Sequence, residues 1–191
     1  MPEANQAVVD FLRNRRSRPA KTLGLPVPDD AALRELLVMA ARSPDHGKLE
    51  PWRFVVLREA ALARLAVLVR ERGEALGIEA ERIAKGVSQY ADAALAVAVI
   101  ASPKPSDRIP SIEQHLSAGA VCLALLNATL ASGWGANWLT GWAAHDRDFG
   151  KRGLGLGPDE FIAGMIHIGT ARAAPPDRPR PDIDAITTWA D

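Results

Sequence analysis

The sequence predicts one domain of mixed fold, in which helices and buried strands alternate. The 191 residues suffice for a sizeable hydrophobic core without disulfides or a structural metal. Apolar residues recur at helical spacing along much of the chain, whereas short runs rich in β-branched and aromatic residues favour buried strands. We therefore expect a domain over residues 1–191, with strands at 54–57, 94–101 and 161–168 and an extended tail from about residue 173.

The first helix is predicted over residues 3–14, because Val8, Phe11 and Leu12 fall on one helical face. The end of this helix is followed directly by Arg15, Arg16 and Ser17. Two guanidinium groups and a hydroxyl suit a phosphate dianion or a flat ring edged with carbonyl oxygens. The alternative is a solvated basic helix end that complements the helix dipole.

A second helix is expected to begin at Asp29 or Asp30 and to end around Arg42, where Pro44 cannot continue it. The segment from Arg42 to Phe54 holds two prolines, a glycine, the histidine His46 and several charged residues. A helix-to-strand connection does not require that composition, so the segment is a candidate site.

The central part of the chain predicts helices over 59–76 and 79–94, a proline-rich loop over 103–110 and a long helix over 112–132. The last of these is apolar on nearly every side. Such a helix must be covered on several sides, and we expect it to lie both in the middle of the domain and at a subunit interface.

A glycine-punctuated strand with three tryptophans, residues 133–142, is the second candidate site. Each tryptophan either packs in the core or lines a binding surface. A short helix follows over 146–152. Several prolines after Ala173 make the tail extended, and we expect Trp189 to anchor it.

The charge balance argues against a general electrostatic attraction of the protein to polyanions. Lysine plus arginine equals 23 and aspartate plus glutamate equals 23, so no overall attraction to nucleic acid or an anionic membrane is expected. The single cysteine, Cys122, lies in an apolar run, which fits a buried residue and a reducing, cytoplasmic location. No signal peptide is visible at the start.

Residues 117–144 contain no charged side chain and are long enough to span a bilayer. We nevertheless expect no membrane span. Asn127, Thr129 and Ser132 interrupt the apolar run, and Gly133 and Gly135 would break a helix late in it.

Other site chemistries find little support. The four histidines lack metal-ligand spacing and Cys122 is solitary, so no metal site is expected. His46 has Asp45 beside it but no nearby serine or cysteine nucleophile for a hydrolytic triad. The order of Gly133, Trp134 and Gly135 does not match a dinucleotide-binding fingerprint.

Four motifs in order resemble the nitroreductase family. They are Arg15-Arg16-Ser17, then Pro44-Asp45-His46 with Pro51-Trp52-Arg53-Phe54, then Gly133-Trp134-Gly135 with Trp138-Leu139-Thr140-Gly141, and finally Gly169-Thr170. The match spans most of the chain. It is similar to a small single-domain branch in which a Pro-Asp-His turn replaces the commoner Pro-Ser-Ala-x-Asn form.

The resemblance implies an α+β nitroreductase-like fold, with a central, mostly antiparallel sheet flanked by helices. It also implies a homodimer with FMN at the subunit interface and with the 112–132 helix as the dimer core. FMN would be held by Arg15, Arg16, Ser17, Arg42, His46, Trp138, Leu139, Thr140 and Arg180. The nicotinamide nucleotide would lie near Ala128, Thr129, Leu130, Ala131, Ser132 and Gly133.

The implied function is an FMN-dependent oxidoreductase that takes hydride from NADH or NADPH and reduces a nitroaromatic or similar electron-poor small molecule by a ping-pong mechanism. No catalytic side-chain nucleophile is expected, because the cofactor carries the chemistry. Two alternatives stay open: a quinone, enone or free flavin as acceptor, and a non-redox module that binds FMN for storage or sensing.

Two departures from the family pattern concern the flavin ring. Pro19 stands where many members have a basic residue, so the donor beside the ring is undetermined. Glu50 replaces a glutamine before Pro51-Trp52. An anionic side chain near reduced flavin is unfavourable, so we expect Glu50 to point away or to pair with Lys48.

Overall fold

The structure is a computed structural model that describes residues 3–190. Within that range the chain forms six α-helices and five strands. The helices are α1 (Gln6–Asn14), α2 (Asp30–Ala40), α3 (Glu59–Ala75), α4 (Ala80–Ala91), α5 (Ser111–Ala131) and α6 (Arg147–Leu154). The strands are β1 (Leu23–Gly24), β2 (Trp52–Leu57), β3 (Ala96–Ala101), β4 (Gly135–Leu139) and β5 (Phe161–Ala171).

Side-chain caps fix the start of three helices. The side chains of Asn5, Asp29 and Asp146 each accept a hydrogen bond from a backbone N–H in the first turn of α1, α2 and α6. Residues 3–5, which the sequence assigns to the first helix, therefore precede it. α6 ends at Gly155 in the left-handed conformation, with φ of 67°.

β5 is the centre of the sheet. It pairs with β3 on one side and β4 on the other, β2 lies outside β3, and β1 pairs with the last residues of β5. Every one of these described pairs is antiparallel. The expected mixed fold with an antiparallel sheet is confirmed, and β1 is too short to have a periodic signal in the sequence.

Alternating side chains of β3 divide the core into two halves. Ala96, Ala98 and Ile100 face the cluster built with α3, α4 and α6. Val97 and Val99 face the cluster built with α2 and α5. Because both faces of β3 are covered, all six of its residues are buried and its sequence is apolar throughout.

α5 packs against α2 and the sheet on one side only. Val121, Cys122 and Leu125 are fully buried. On the opposite side Ile112, Leu116 and Leu123 are 60%, 67% and 45% exposed. By length and composition α5 could cross a membrane, but its inner face belongs to the core of the domain.

The tail from Arg172 onward has no strand or α-helix within the described residues. Its start is fixed by a hydrogen bond from the Arg172 N–H to the Thr22 carbonyl, 3.0 Å. The Trp189 side chain is 82% exposed. Within the described residues, Trp189 therefore does not anchor the tail by burial against its own chain.

Candidate functional site

A cavity of about 330 Å³ lies where the ends of α1 and α5 meet the start of β4. It joins two of the motifs that the sequence singles out, the arginines after α1 and the glycine-rich approach to β4. The cavity is lined by Phe11, Asn14, Arg15, Arg16, Arg18, Leu130, Gly133, Trp134, Gly135 and Ala171. We call it the arginine cavity.

Hydrogen bonds to β4 hold the basic segment in place. The Arg18 N–H donates to the Ala136 carbonyl at 2.8 Å, and the Asn137 amide donates to the Arg18 carbonyl at 2.7 Å. Arg15 Nη2 donates to Ser17 Oγ at 3.1 Å. Ser17 thus stands next to the guanidinium groups, as the sequence motif requires.

The arginine cavity concentrates positive charge that the protein leaves incompletely bonded. Nε of Arg15 and Nε of Arg16 are buried without a hydrogen-bond partner among residues 3–190. Burial, followed by the charges of Arg180 and Arg16, lowers the pKa of Arg15. Arg180 reaches this place from the tail and donates to Asp177 Oδ1 at 2.8 Å. An anion with several acceptor oxygens would satisfy these donors.

The turn after α2 is held rigidly against α5. The Asp45 carboxylate accepts the backbone N–H groups of Leu49 and Glu50 at 3.1 and 2.7 Å. The Trp52 indole donates to Ser117 Oγ at 3.2 Å, and that hydroxyl donates to the Pro44 carbonyl at 2.8 Å. Asp45 and Pro44 therefore have structural roles.

Backbone conformation explains the glycine of this turn. Gly47 has φ of 73°, and Lys48 and Glu50 also have positive φ, 55° and 48°. Non-glycine residues rarely adopt such values, and they cluster at constrained loops. A Cβ on Gly47 would also come within 2.5 Å of the Ile109 side chain.

His46 and Arg42 stand at the opposite end of α5 from the arginine cavity. His46 Nδ1 lies 2.6 Å from Glu113 Oε2, in the first turn of α5, and its side chain is 61% exposed. Leu130, which lines the arginine cavity, is 17 residues further along this helix, about 26 Å at 1.5 Å per residue. Within one chain the structure does not bring Arg42 and His46 to Arg15, Arg16 and Ser17.

β4 carries the remaining residues of the predicted flavin set. A Cβ on Gly164 would meet the Trp138 indole nitrogen at 2.2 Å and Cys122 Sγ at 2.9 Å, so this glycine leaves room for the indole. Leu139 is partly buried at the end of the strand. The Thr140 carbonyl accepts a hydrogen bond of 3.1 Å from the Gln89 amide.

The predicted nicotinamide segment, 128–133, forms the last turn of α5 and its exit. Leu130 and Gly133 line the arginine cavity, Ala128 is partly buried, and Ala131 and Ser132 are exposed. Thr129 is fully buried, and its hydroxyl donates to the Leu125 carbonyl at 2.7 Å. The Thr129 side chain therefore faces the core and cannot contact a ligand without rearrangement.

Several residues of these surfaces escape sequence reasoning. Glu113 and Ser117 are distant in sequence from the turn that they contact, and only the packing of α5 reveals them. Gln89 lies in a helix without a motif. Arg18 follows the Arg15-Arg16-Ser17 motif and Trp134 lies within the Gly133-Trp134-Gly135 motif, but neither residue is in the predicted flavin set. Among residues 3–190 no group of three histidine, cysteine or acidic side chains could hold a metal ion.

Comparison with known proteins agrees with this architecture. The family model described as "Nitroreductase family" matches residues 12–170. The chain is 29% identical over 162 residues to "Putative NAD(P)H nitroreductase YdjA" of Escherichia coli strain K12, covering 85% of this chain and 87% of that protein.

Two solved structures show the same fold. The nitroreductase-like family protein from Bacillus cereus has a TM-score of 0.80 at 20% identity, covering 100% of this chain and 99% of that one. The FMN and NADPH-dependent nitroreductase NfnB from sphigopyxis sp. strain HMH has a TM-score of 0.72 at 20% identity, covering 96% and 98%. With a family model matched over most of its length and this fold, the chain belongs to the nitroreductase family.

Proposed function

We propose that this protein is an FMN-dependent oxidoreductase that uses NADH or NADPH to reduce a nitroaromatic or similar electron-poor small molecule in the cytoplasm. The observation that carries the proposal is the arginine cavity, where two buried guanidinium Nε atoms have no hydrogen-bond partner in the described part of the chain. Arg180 adds a third positive charge near Arg15. A phosphate monoester supplies both the charge and the acceptor oxygens that these groups need.

The donor set fits FMN better than a bare phosphate. Arg15, Arg16, Ser17 and Arg180 would hold the phosphate and neighbouring polar groups. Trp138, Leu139 and Thr140 continue along β4 from the same region and would line the flavin. When bound, FMN supplies hydride and electron transfer between the nicotinamide and the acceptor. The chain's own residues bind and orient the reactants, and no side-chain nucleophile is required.

The second half of the flavin site would come from a partner subunit. The exposed apolar side chains of α5, with Leu116 67% exposed, form a surface suited to a second copy of this helix. A two-fold axis across α5 with antiparallel helices would place the Glu113 end of one chain near the Leu130 end of the other. Arg42 and His46 of one subunit would then join Arg15 and Arg16 of its partner.

The homodimer also suits the predicted nicotinamide segment. The end of α5 exposes Ala131 and Ser132 beside Leu130 and Gly133 of the arginine cavity. A nicotinamide nucleotide bound there would lie next to the proposed flavin. Thr129 would act only by holding this turn, through its bond to the Leu125 carbonyl.

The deciding experiment measures bound flavin and turnover on purified protein. We expect a yellow protein whose released cofactor is FMN, and oxidation of NADH or NADPH that depends on an added nitroaromatic. Protein that stays colourless after soaking with FMN would overturn the proposal. Bound FMN without oxidation of either nicotinamide would instead favour a storage or sensing module, and a panel of quinones, enones and free flavin would identify a different acceptor.

A further inference from the structure

A second groove, of about 220 Å³, lies between α4 and the turn that follows β4. Its lining includes Arg82, Lys85, Gly86, Gln89, Gly141 and Trp142. The α4 residues of this lining belong to none of the motifs assigned above, and Gly141 follows Thr140 at the end of the strand that would line the flavin. We call it the α4 groove.

Helical spacing puts the polar lining of the α4 groove on one face. Arg82, Lys85 and Gln89 are three and four residues apart, the spacing that brings side chains together on a helix. In the described part of the chain neither the Arg82 guanidinium nor the Lys85 ammonium forms an ion pair. Two cations thus border the groove without a protein counter-charge.

The opposite wall is fixed by close contacts. The Trp142 indole nitrogen donates to the Arg82 carbonyl at 3.3 Å, and a Cβ on Gly86 would come within 2.9 Å of that nitrogen. The Gln89 amide nitrogen donates to the Thr140 carbonyl, and a Cβ on Gly141, which has φ of 82°, would come within 3.0 Å of Gln89 Oε1. Two glycines therefore bring α4 and the turn together around an aromatic surface.

We propose that the α4 groove binds a carboxylate or phosphate monoester carried by one of the two substrates, beside the flavin. The inference rests on the proposed function, because that function makes Thr140 a flavin neighbour. Arg82 and Lys85 supply the charge, and Trp142 supplies apolar surface for the ring attached to the anion. Two sources share this chemistry: an aromatic acid as acceptor, and the 2′-phosphate of NADPH.

The test measures dissociation constants by calorimetry on flavin-loaded protein. It uses pairs of probes in which one member carries an additional anionic group. The first pair is 4-nitrobenzoate and 4-nitrobenzamide, and the second is 2′,5′-ADP and 5′-AMP. We expect the double variant Arg82→Gln with Lys85→Gln to weaken binding of the more anionic member of one pair about tenfold, the loss expected for a charge-assisted contact. The other member of that pair should bind as before.

A double variant, Arg70→Gln with Lys151→Gln, is the matched control, since it removes the same charge from exposed positions outside the α4 groove. A response in the first pair identifies an aromatic acid, and one in the second identifies the nucleotide phosphate. Wild-type protein that does not prefer the more anionic member of either pair, or a preference that survives the variant, would overturn the proposal. Absence of turnover in flavin-loaded protein would overturn the proposed function separately, because these constants do not depend on turnover.

Discussion

Arg15 has the environment that we propose for a phosphate-binding residue. Its Nη2 donates to Ser17, its buried Nε has no partner within residues 3–190, and its charge lies near those of Arg16 and Arg180. Such an arrangement is costly in the free protein, and a bound phosphate relieves it.

We expect Arg15→Ala to weaken FMN binding by ~1.5–3 kcal/mol, because it removes a charge-assisted contact. Titrating protein into FMN and following flavin fluorescence measures the change. Arg13→Ala is the control, since Arg13 is exposed in the last turn of the same helix and does not line the arginine cavity. If both variants bind FMN as tightly as the wild type, Arg15 does not contact the cofactor.

His46 combines an exposed ring with a firmly held backbone. Its contact with Glu113 is an exposed pair, which contributes at most about 1 kcal/mol to stability. The ring is thus dispensable for the fold and free to contact a cofactor bound by another subunit.

His46→Ala should shift the flavin absorption spectrum or lower turnover while leaving the unfolding temperature nearly unchanged. Absorption spectra, NADH oxidation and thermal melting on the same samples measure the three properties. Glu113→Gln keeps the imidazole and removes only the negative charge of its partner. If Glu113→Gln reproduces the entire spectral change, His46 acts through the pair with Glu113 and not by direct contact.

At the scale of elements, helical and strand periodicity in the sequence predicts most of the fold. The apolar face of α2 formed by Leu33, Leu36 and Ala40, the apolar β3 and the long α5 all follow from residue spacing, because each has a face or a whole surface to bury. β1 has two residues and therefore no period, and the ends of β4 and β5 depend on their cross-strand partners. The site motifs are visible locally, but the separation of His46 from Arg15 along α5 emerges only from packing.

Leu123→Glu should abolish the proposed dimer, because it places a charge in the exposed apolar face of α5. Gel filtration with light scattering measures the mass, and circular dichroism measures the fold. Val67→Glu is the matched control, because Val67 is an apolar residue of α3 that is 68% exposed. A Leu123→Glu protein that stays dimeric would refute the interface, and a folded monomer that keeps its FMN would refute a flavin site shared between subunits.

Across the whole molecule, His167 couples stability to pH. The side chain is buried in β5 at the centre of the sheet, and Nε2 has no hydrogen-bond partner among the described residues. Burial lowers the pKa of His167 to about 4 from its usual 6.5. The unfolded chain thus binds a proton between these values that the folded chain excludes. Stability is complete above about pH 6.5 and falls as the pH drops toward 4.

This shift of the His167 pKa corresponds to a loss of about 3 kcal/mol of unfolding free energy by pH 4. Urea unfolding at pH 7.5, 5.5 and 4.5 measures it. His167→Gln should flatten the curve between pH 6.5 and 4. The pair of Glu160 with Arg53 provides a comparison within the same protein. The hydrogen bonds from Arg53 lower the pKa of Glu160 to about 2, so the stabilisation from this carboxylate is lost only below about pH 4.5. A pH profile that His167→Gln leaves unchanged would show that the imidazole does not cause the slope.

The distance that α5 spans between Glu113 and Leu130 predicts that two deficient variants complement each other. If each flavin site takes Arg15 from one chain and His46 from the other, an Arg15→Ala chain and a His46→Ala chain have complementary defects. Refolding the two together produces heterodimers in which one site is wholly wild type and the other carries both substitutions. Turnover at limiting FMN should then return in part in a mixture of two deficient proteins, whereas sites confined to single chains would stay deficient however the chains are combined.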